Sequence, residues 1–210
     1  MENQTVDDHR WLQWAKAITA IAHTGLAYTD NAFDKERYEQ LSDIAQEMLS
    51  SHSTLSATTL KDALATEVGY FTPKVDVRGF VIKDNKILMV QERSDQKWTL
   101  PGGWADVNIS PSENAVKEIH EEAGFETQVI RLLALWDKHK HDHPPHFPHT
   151  YKFFFHCDIT GGTATPSIET TDVGFFSLDA LPDLSVHRVT ASQIHKLWDI
   201  VHDKKPTAFD

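Results

Sequence analysis

The chain has 210 residues, with 31 acidic against 20 basic side chains, a formal net charge of −11 and 40% hydrophobic residues. This composition supports a buried core and excludes a disordered chain, and the negative charge disfavours nucleic acid as a partner. The single cysteine, Cys157, excludes an intrachain disulfide and, with an acidic N-terminus that does not form a signal peptide, favours a cytoplasmic protein. The sequence has no apolar run long enough for a membrane span.

Residues 1–68 have a helical pattern and are predicted to form a small all-helical N-terminal domain. Apolar side chains recur at spacings of three and four at Trp11, Trp14, Ile18 and Ile21. This first helix is expected to end at Gly25, and a second to begin at Asp34. A capping box at residues 59–62 predicts a third. Short helices bury little surface alone, so their apolar stripe is expected to pack on the rest of the chain or to form a homodimer.

Residues 69–210 change to a strand pattern and are predicted to form a second domain. Strands are expected at residues 74–82, 87–91, 129–136, 151–159 and 173–176, with a turn at Asp84 and Asn85. Residues 99–104 predict a strand that runs into a Gly-rich turn, and residues 192–202 predict a final helix. Strands, a central helix, further strands and a terminal helix indicate an α+β fold.

A helix with an acidic face is predicted between residues 110 and 124. Ser110 and Glu113 form a capping box around Pro111, and Gly124 is a typical C-terminal residue. Within this helix three carboxylates share one face near the C-terminus, where they repel each other and oppose the helix dipole: Glu118, Glu121 and Glu122. A bound divalent cation would remove both penalties. The alternative is a solvated acidic face.

Residues 103–125 resemble the Nudix box, in which Gly is followed by five residues, Glu, seven residues and Arg-Glu-apolar-x-Glu-Glu-x-Gly-apolar. Here Gly103 is the first glycine, and residues 117–125 read Lys-Glu-Ile-His-Glu-Glu-Ala-Gly-Phe. Ile109 replaces the first glutamate, for which Asp106 is a partial substitute, and Lys117 replaces the arginine. The resemblance implies an α/β/α sandwich with a mixed sheet, and Mg²⁺ or Mn²⁺ held by Glu118, Glu121 and Glu122.

Nearly the whole chain resembles a Nudix subgroup that has a helical N-terminal domain. The resemblance implies hydrolysis of a nucleoside diphosphate linked to a second group, such as CDP-choline or ADP-ribose, to a nucleoside monophosphate and a phosphorylated second group. It leaves the general base open between a box glutamate and a later acidic residue, with Glu169 and Asp172 as candidates. The expected substrate-binding residues are Arg78, Gly102, Gly103, Trp104, Lys117 and Tyr151.

Several alternatives remain open from the sequence. Arg93 is a second candidate phosphate partner or a surface charge, and Trp98, Trp104 and Tyr151 stack a base or fill the core. The five histidines between residues 139 and 149 form a lid, a transition-metal site or an exposed loop. Because Ile109 removes a carboxylate, a nucleotide-binding domain without catalysis is a second function. An RNA-processing nuclease is a third, which the charge argues against.

Overall fold

The computed structural model describes residues 10–51 and 69–210. The chain forms two compact units, one of Met1–Pro73 with Phe147–His149 and one of Lys74–His146 with Thr150–Asp210. The third helix predicted from residues 59–62 lies outside the described residues. None of the described helices is both long and apolar enough to span a membrane.

The N-terminal unit contains two helices, α1 (Arg10–Tyr28) and α2 (Ala32–Ser51). The prediction that the first helix ends at Gly25 is wrong, because α1 continues for three further residues. The second helix begins two residues before Asp34, since the Asn31 Oδ1 atom accepts the backbone N–H of Phe33 at 2.9 Å and caps it.

The buried face of α1 differs from the predicted stripe. Leu12 and Ala15 form a small core with Leu49 of α2, whereas Trp14 and Ile21 are 56% and 59% exposed. Small side chains let two helices approach closely, and the larger apolar residues are then left outside the contact. Trp11 of the stripe packs on this core, and Trp14 and Ile21 lie outside it.

The second unit contains these elements: β1 (Lys74–Lys83), β2 (Lys86–Glu92), β3 (Trp98–Thr99), β4 (Gly102–Trp104), α3 (Pro111–Ala123), β5 (Phe125–Asp137), β6 (Thr150–Gly162), β7 (Thr170–Phe176), α4 (Ala191–His202) and β8 (Ala208–Phe209). The strands form a mixed sheet with the order β3-β2-β1-β6-β5-β8, in which β4 also pairs with β1 and β7 with β2. Strand β1 runs parallel to β6 and antiparallel to β4, and β5 runs parallel to β8.

Apolar layers on both faces of the sheet confirm the predicted α+β sandwich. One layer packs β-strand residues against α3 through Ala115, Ile119 and Ala123, and the other packs against α4 through Ile194 and Leu197. The turn at residues 84 and 85 is confirmed, since both have positive φ angles, which suit a tight hairpin. Strand β8 was not predicted, because it is two residues long and largely exposed.

Candidate active site

Helix α3 begins and ends as its sequence predicts. The Ser110 Oγ accepts the Glu113 backbone N–H, and Glu113 Oε2 accepts the Ser110 backbone N–H at 2.8 Å, which completes the capping box. Gly124 ends the helix in the left-handed conformation at φ 75°. The three acidic side chains differ in environment, because Glu122 is buried, Glu118 is half-buried and Glu121 is exposed.

Strand β4 places two glycines directly against these carboxylates. Gly102 has φ 140°, and a Cβ there would lie 2.1 Å from the Val77 carbonyl oxygen, so no other residue fits this close pairing with β1. Its backbone N–H donates to Glu122 Oε2 at 2.8 Å. A Cβ on Gly103 would lie 3.2 Å from Glu118 Oε2. The glycines therefore let the strand backbone approach the acidic face of α3.

Burial shapes the protonation of the two inner carboxylates. It raises the pKa of Glu122 to about 7, although Arg78 and the Gly102 N–H act in the opposite direction. Burial also raises the pKa of Glu118, against the charges of Lys117 and Arg78. Two carboxylates withdrawn from water on one helix face are costly without added positive charge. This donor set fits a hard divalent cation, which prefers carboxylate oxygens.

A cleft of about 920 Å³ opens over these residues, and most predicted site residues line it: Arg78, Gly102, Gly103, Trp104, Lys117, Glu118, Glu121, Glu122 and Glu169. Tyr151 and Asp172 are not among its lining residues. Side chains alternate along a strand, so Thr150 and Lys152 of β6 face the cleft and Tyr151 faces away. The carboxylate of Asp172 accepts the backbone N–H of Val173 at 2.8 Å.

A short loop at residues 167–170 carries Glu169 into the cleft. Arg93 holds this loop, because its Nε donates to the Ile168 carbonyl at 2.7 Å and its Nη2 to those of Ser167 and Thr170 at 3.3 Å. Arg93 is thus a loop anchor and neither of the two predicted alternatives, a phosphate ligand or a plain surface charge. Glu169 is close enough to Glu118 for its charge to contribute to the raised pKa there.

The floor of the cleft holds a buried ionic cluster. The Arg78 Nε and Nη2 atoms donate to Asp76 at 3.1 and 2.9 Å, and Lys152 Nζ donates to the same carboxylate. Arg78 also donates to the Leu100 carbonyl at 3.0 Å. Much of the Arg78 guanidinium is therefore committed to the protein, which makes it a fixed source of positive charge beside Glu122.

Sequence reasoning missed several residues that line the cleft: Asp76, Glu92, Lys138, Lys152, His187 and Arg188. One signal was present, since Lys152 is a charged residue at the start of the apolar strand segment 153–155. A lysine in such a strand is buried only with a partner. The other residues belong to separate segments of the sequence, which come together only through the fold.

Packing bears on two of the open alternatives. Trp98 packs edge-on against Phe176 with ring centroids 4.6 Å apart, so it fills the core. In the His-rich segment, the His141 side chain is 5% exposed and its Nε2 lies 3.3 Å from Asp210 Oδ1, so the exposed-loop interpretation is wrong for this residue. His146 of the same segment lines the cleft.

Two family models match the chain. Residues 72–197 match the NUDIX domain, and residues 9–64 match the UDP-X-like N-terminal oligomerisation domain. The chain belongs to the Nudix hydrolase family.

Relatives of this Nudix hydrolase extend along nearly its whole length. It is 46% identical over 202 residues to YjhB of Bacillus subtilis, which carries the provisional name of ADP-ribose pyrophosphatase, with 96% of this chain and 97% of that one covered. The crystal structure of a UDP-X diphosphatase is similar with 36% identity, TM-score 0.64 and coverage of 96% and 98%. An ADP-ribose pyrophosphatase structure from Streptococcus suis has 42% identity and TM-score 0.61, and covers 66% of this chain and 100% of that one.

The two departures from the Nudix box lie at its outer edge. Lys117 Nζ is 2.8 Å from Glu121 Oε2 and 3.1 Å from Asp106 Oδ2, so it pairs with both carboxylates. Ile109 is 38% exposed and does not line the cleft. Buried Asn114 shapes the intervening loop, since its Oδ1 accepts the Asp106 backbone N–H at 2.8 Å. Ile109 therefore lies outside the cleft that holds the inner carboxylates, Glu118 and Glu122.

Proposed function

We propose that this Nudix hydrolase is a pyrophosphatase that needs Mg²⁺ or Mn²⁺ and cleaves a nucleoside diphosphate linked to a second group. The observation that carries the proposal is the pair of inner carboxylates, Glu118 and Glu122, held out of solvent against the backbone of β4. These two side chains would hold the ion. Glu121 is the outer member of the predicted ligand set, and its contact with Lys117 favours a supporting role.

When bound, the ion would neutralise charge on the pyrophosphate and lower the pKa of a bound water. The residues of the chain supply position and proton transfer. The Gly102 N–H orients Glu122, and Arg78 places fixed positive charge at the floor. Glu169 is the proposed general base, because it reaches the cleft from a loop that Arg93 holds. Asp172, the other predicted base, is the weaker candidate.

The reaction is hydrolysis of a phosphoric anhydride. The water oxygen forms a bond to one phosphorus, the bridging P–O bond breaks, and the water proton passes to the carboxylate of Glu169. The products are a nucleoside monophosphate and the phosphorylated second group. Exposed Trp104 at the α3 end of the cleft is the proposed stacking surface for the nucleobase.

Relatives support ADP-ribose and UDP-linked compounds as the first substrates to test, and CDP-choline remains a candidate from the sequence. The assay measures phosphate released by a coupled phosphatase from each compound with Mg²⁺, with Mn²⁺ and with EDTA. We expect cleavage of at least one linked diphosphate that EDTA abolishes. Binding of these compounds without cleavage would contradict the proposal and favour the non-catalytic alternative.

Variants of the acidic residues test the assignments. Glu118→Gln should lower kcat by about 100-fold or more, within the range seen when an electrostatic group acts on the reacting centre. Glu121→Gln should have a smaller effect, because its partner is Lys117. Glu126→Gln is the matched control, since that carboxylate is exposed on β5 outside the cleft. Equal activity of Glu118→Gln and the control would remove the metal-site assignment.

A homodimer through the N-terminal helices is the second part of the proposal. Its support is the match to an oligomerisation domain and a set of large, exposed apolar side chains in that unit: Trp14, Ile21, Tyr28 and Phe33. Exposed apolar groups of this number usually mark an interface.

A further inference from the structure

The two ends of the cleft differ in chemistry. Among the described residues that line it, Trp104 is the one Phe, Tyr or Trp, and β4 pairs it with Asp76 of β1. On the other side of Asp76, β6 carries Lys152, and this basic end of the cleft includes further basic lining residues: Lys138, His146, His187 and Arg188. If the base stacks at Trp104, the second group of the substrate occupies the basic end.

The floor beneath this end carries positive charge that the protein does not fully neutralise. Asp76 and Lys152 stand opposite each other on the parallel strands β1 and β6. The Asp76 carboxylate accepts from Lys152 and also from two nitrogens of Arg78. Two cations thus share one carboxylate, although the Lys152 side chain is 1% exposed. A buried excess of positive charge is costly unless an anion approaches it.

The neighbouring carboxylates Glu122 and Glu92 act on Arg78, which balances the arginine more than the lysine. Burial lowers the pKa of Lys152 below its ordinary value, Asp76 opposes the shift, and Arg78 and Arg188 add to it by repulsion. Arg188 is itself paired, since its Nε lies 2.8 Å from Glu92 Oε1. The excess is therefore centred on the lysine.

We propose that the basic end of the cleft selects a second group that carries an acidic substituent, a carboxylate or phosphate on a sugar, and that Lys152 makes this selection. The inference rests on the proposed function and narrows its substrate class. A quaternary ammonium group such as choline is disfavoured because it meets like charge. The described residues of this end also include no Phe, Tyr or Trp, the rings that usually bind such cations.

The test compares two sugar phosphates that differ by one carboxylate. Glucuronic acid 1-phosphate and glucose 1-phosphate are titrated into the full chain with Mg²⁺ by isothermal calorimetry. We expect the acid to bind about tenfold more tightly, a modest value for one added charge contact. Lys152→Met should reduce this ratio to near one.

Two further variants keep the test decisive. Lys152→Arg retains the charge and should retain the preference, which also covers the case in which Lys152→Met does not fold. Lys140→Met removes an exposed cation outside the cleft and should change neither affinity. Equal binding of the two sugar phosphates by the unmodified chain, no binding of either, or equal losses for both in Lys152→Met would overturn the proposal.

Hydrolysis separates this inference from the function on which it rests. UDP-glucuronic acid and UDP-glucose are compared as substrates with Mg²⁺. A higher kcat/KM for the acid supports the inference. Cleavage of both at equal kcat/KM would overturn the selection by Lys152 and leave the pyrophosphatase function standing. No cleavage of any linked diphosphate would instead count against the proposed function.

Discussion

The hydroxyl of Thr170 joins the loop that carries Glu169 to the last turn of α3, and its removal is a sharp test of the site. The side chain is fully buried, its Oγ1 donates to the Glu122 carbonyl at 2.8 Å, and it accepts the Ser167 backbone N–H at 2.9 Å. The Glu122 carbonyl is among the last four of the helix, which have no partner within it. Thr170→Val keeps the shape and removes both hydrogen bonds.

The expected cost follows from these contacts. Two net hydrogen bonds of about 1 kcal/mol each are lost, and a buried carbonyl left unpaired adds about 1–2 kcal/mol, so the free energy of unfolding should fall by about 3–4 kcal/mol. We expect kcat to fall as well, because the loop that positions Glu169 loses its attachment to the helix. Urea denaturation gives the first quantity, and the coupled phosphate assay gives the second.

Two matched variants isolate the hydroxyl. Thr170→Ser retains it and should recover most of the stability and activity. Thr160→Val makes the same substitution at an exposed position of β6, where changes of about 0.5 kcal/mol or less are usual. A loss below about 1 kcal/mol in Thr170→Val, with unchanged kcat, would refute the link between helix and loop.

Three other predictions concern separate parts of the chain. Arg93→Met should lower kcat about tenfold with little change in KM, which corresponds to about 1.4 kcal/mol of lost loop ordering. Arg93→Lys should recover only part of kcat, because a single ammonium nitrogen lacks the fork of donors with which the guanidinium contacts three carbonyls. Trp14→Ser should shift the protein from dimer to monomer in light scattering, and an unchanged mass would argue against the exposed α1 face as the interface. Burial lowers the pKa of His143 from 6.5 to about 4, so the neutral imidazole contributes stability that is complete above pH 6.5 and is lost as the pH falls toward 4. After allowance for partial exposure, the free energy of unfolding should decline by about 1–2 kcal/mol over this range. In urea denaturation, His143→Gln should reduce the loss of unfolding free energy between pH 7 and pH 5. An equal loss in the variant and the unmodified chain would contradict this prediction.

Local signals in the sequence predicted the elements that begin and end with specific residues. The capping box at Ser110 and the left-handed Gly124 define α3 to within a residue. Strand ends were less accurate, and β5 begins four residues before its predicted start at Val129. After buried Phe125, the next residues of β5 alternate between exposed and half-buried, and such a segment has a weaker apolar pattern than the buried part that follows.

The site was predictable where its residues are neighbours in sequence. Helical spacing places Glu118, Glu121 and Glu122 on one side of α3, but it does not show that Glu122 is enclosed and Glu121 is in solvent. That difference arises from β4, which covers only part of the acidic face. The pairing of Asp76 with Lys152 joins residues 76 positions apart and depends on the parallel register of β1 and β6. No local pattern encodes such a pair.

The departures at residues 109 and 117 show how position in the fold changes the meaning of a motif. From the sequence motif alone, the absence of the first glutamate of the box suggests a loss of catalytic activity. In the structure, Ile109 lies on an exposed loop, and Lys117 bridges Asp106 and Glu121 at the rim. The inner carboxylates of the box, Glu118 and Glu122, are intact. Changes at the rim around intact inner carboxylates favour altered substrate selection rather than loss of hydrolysis. The reacting groups lie inside the cleft, and the groups that select the substrate surround them.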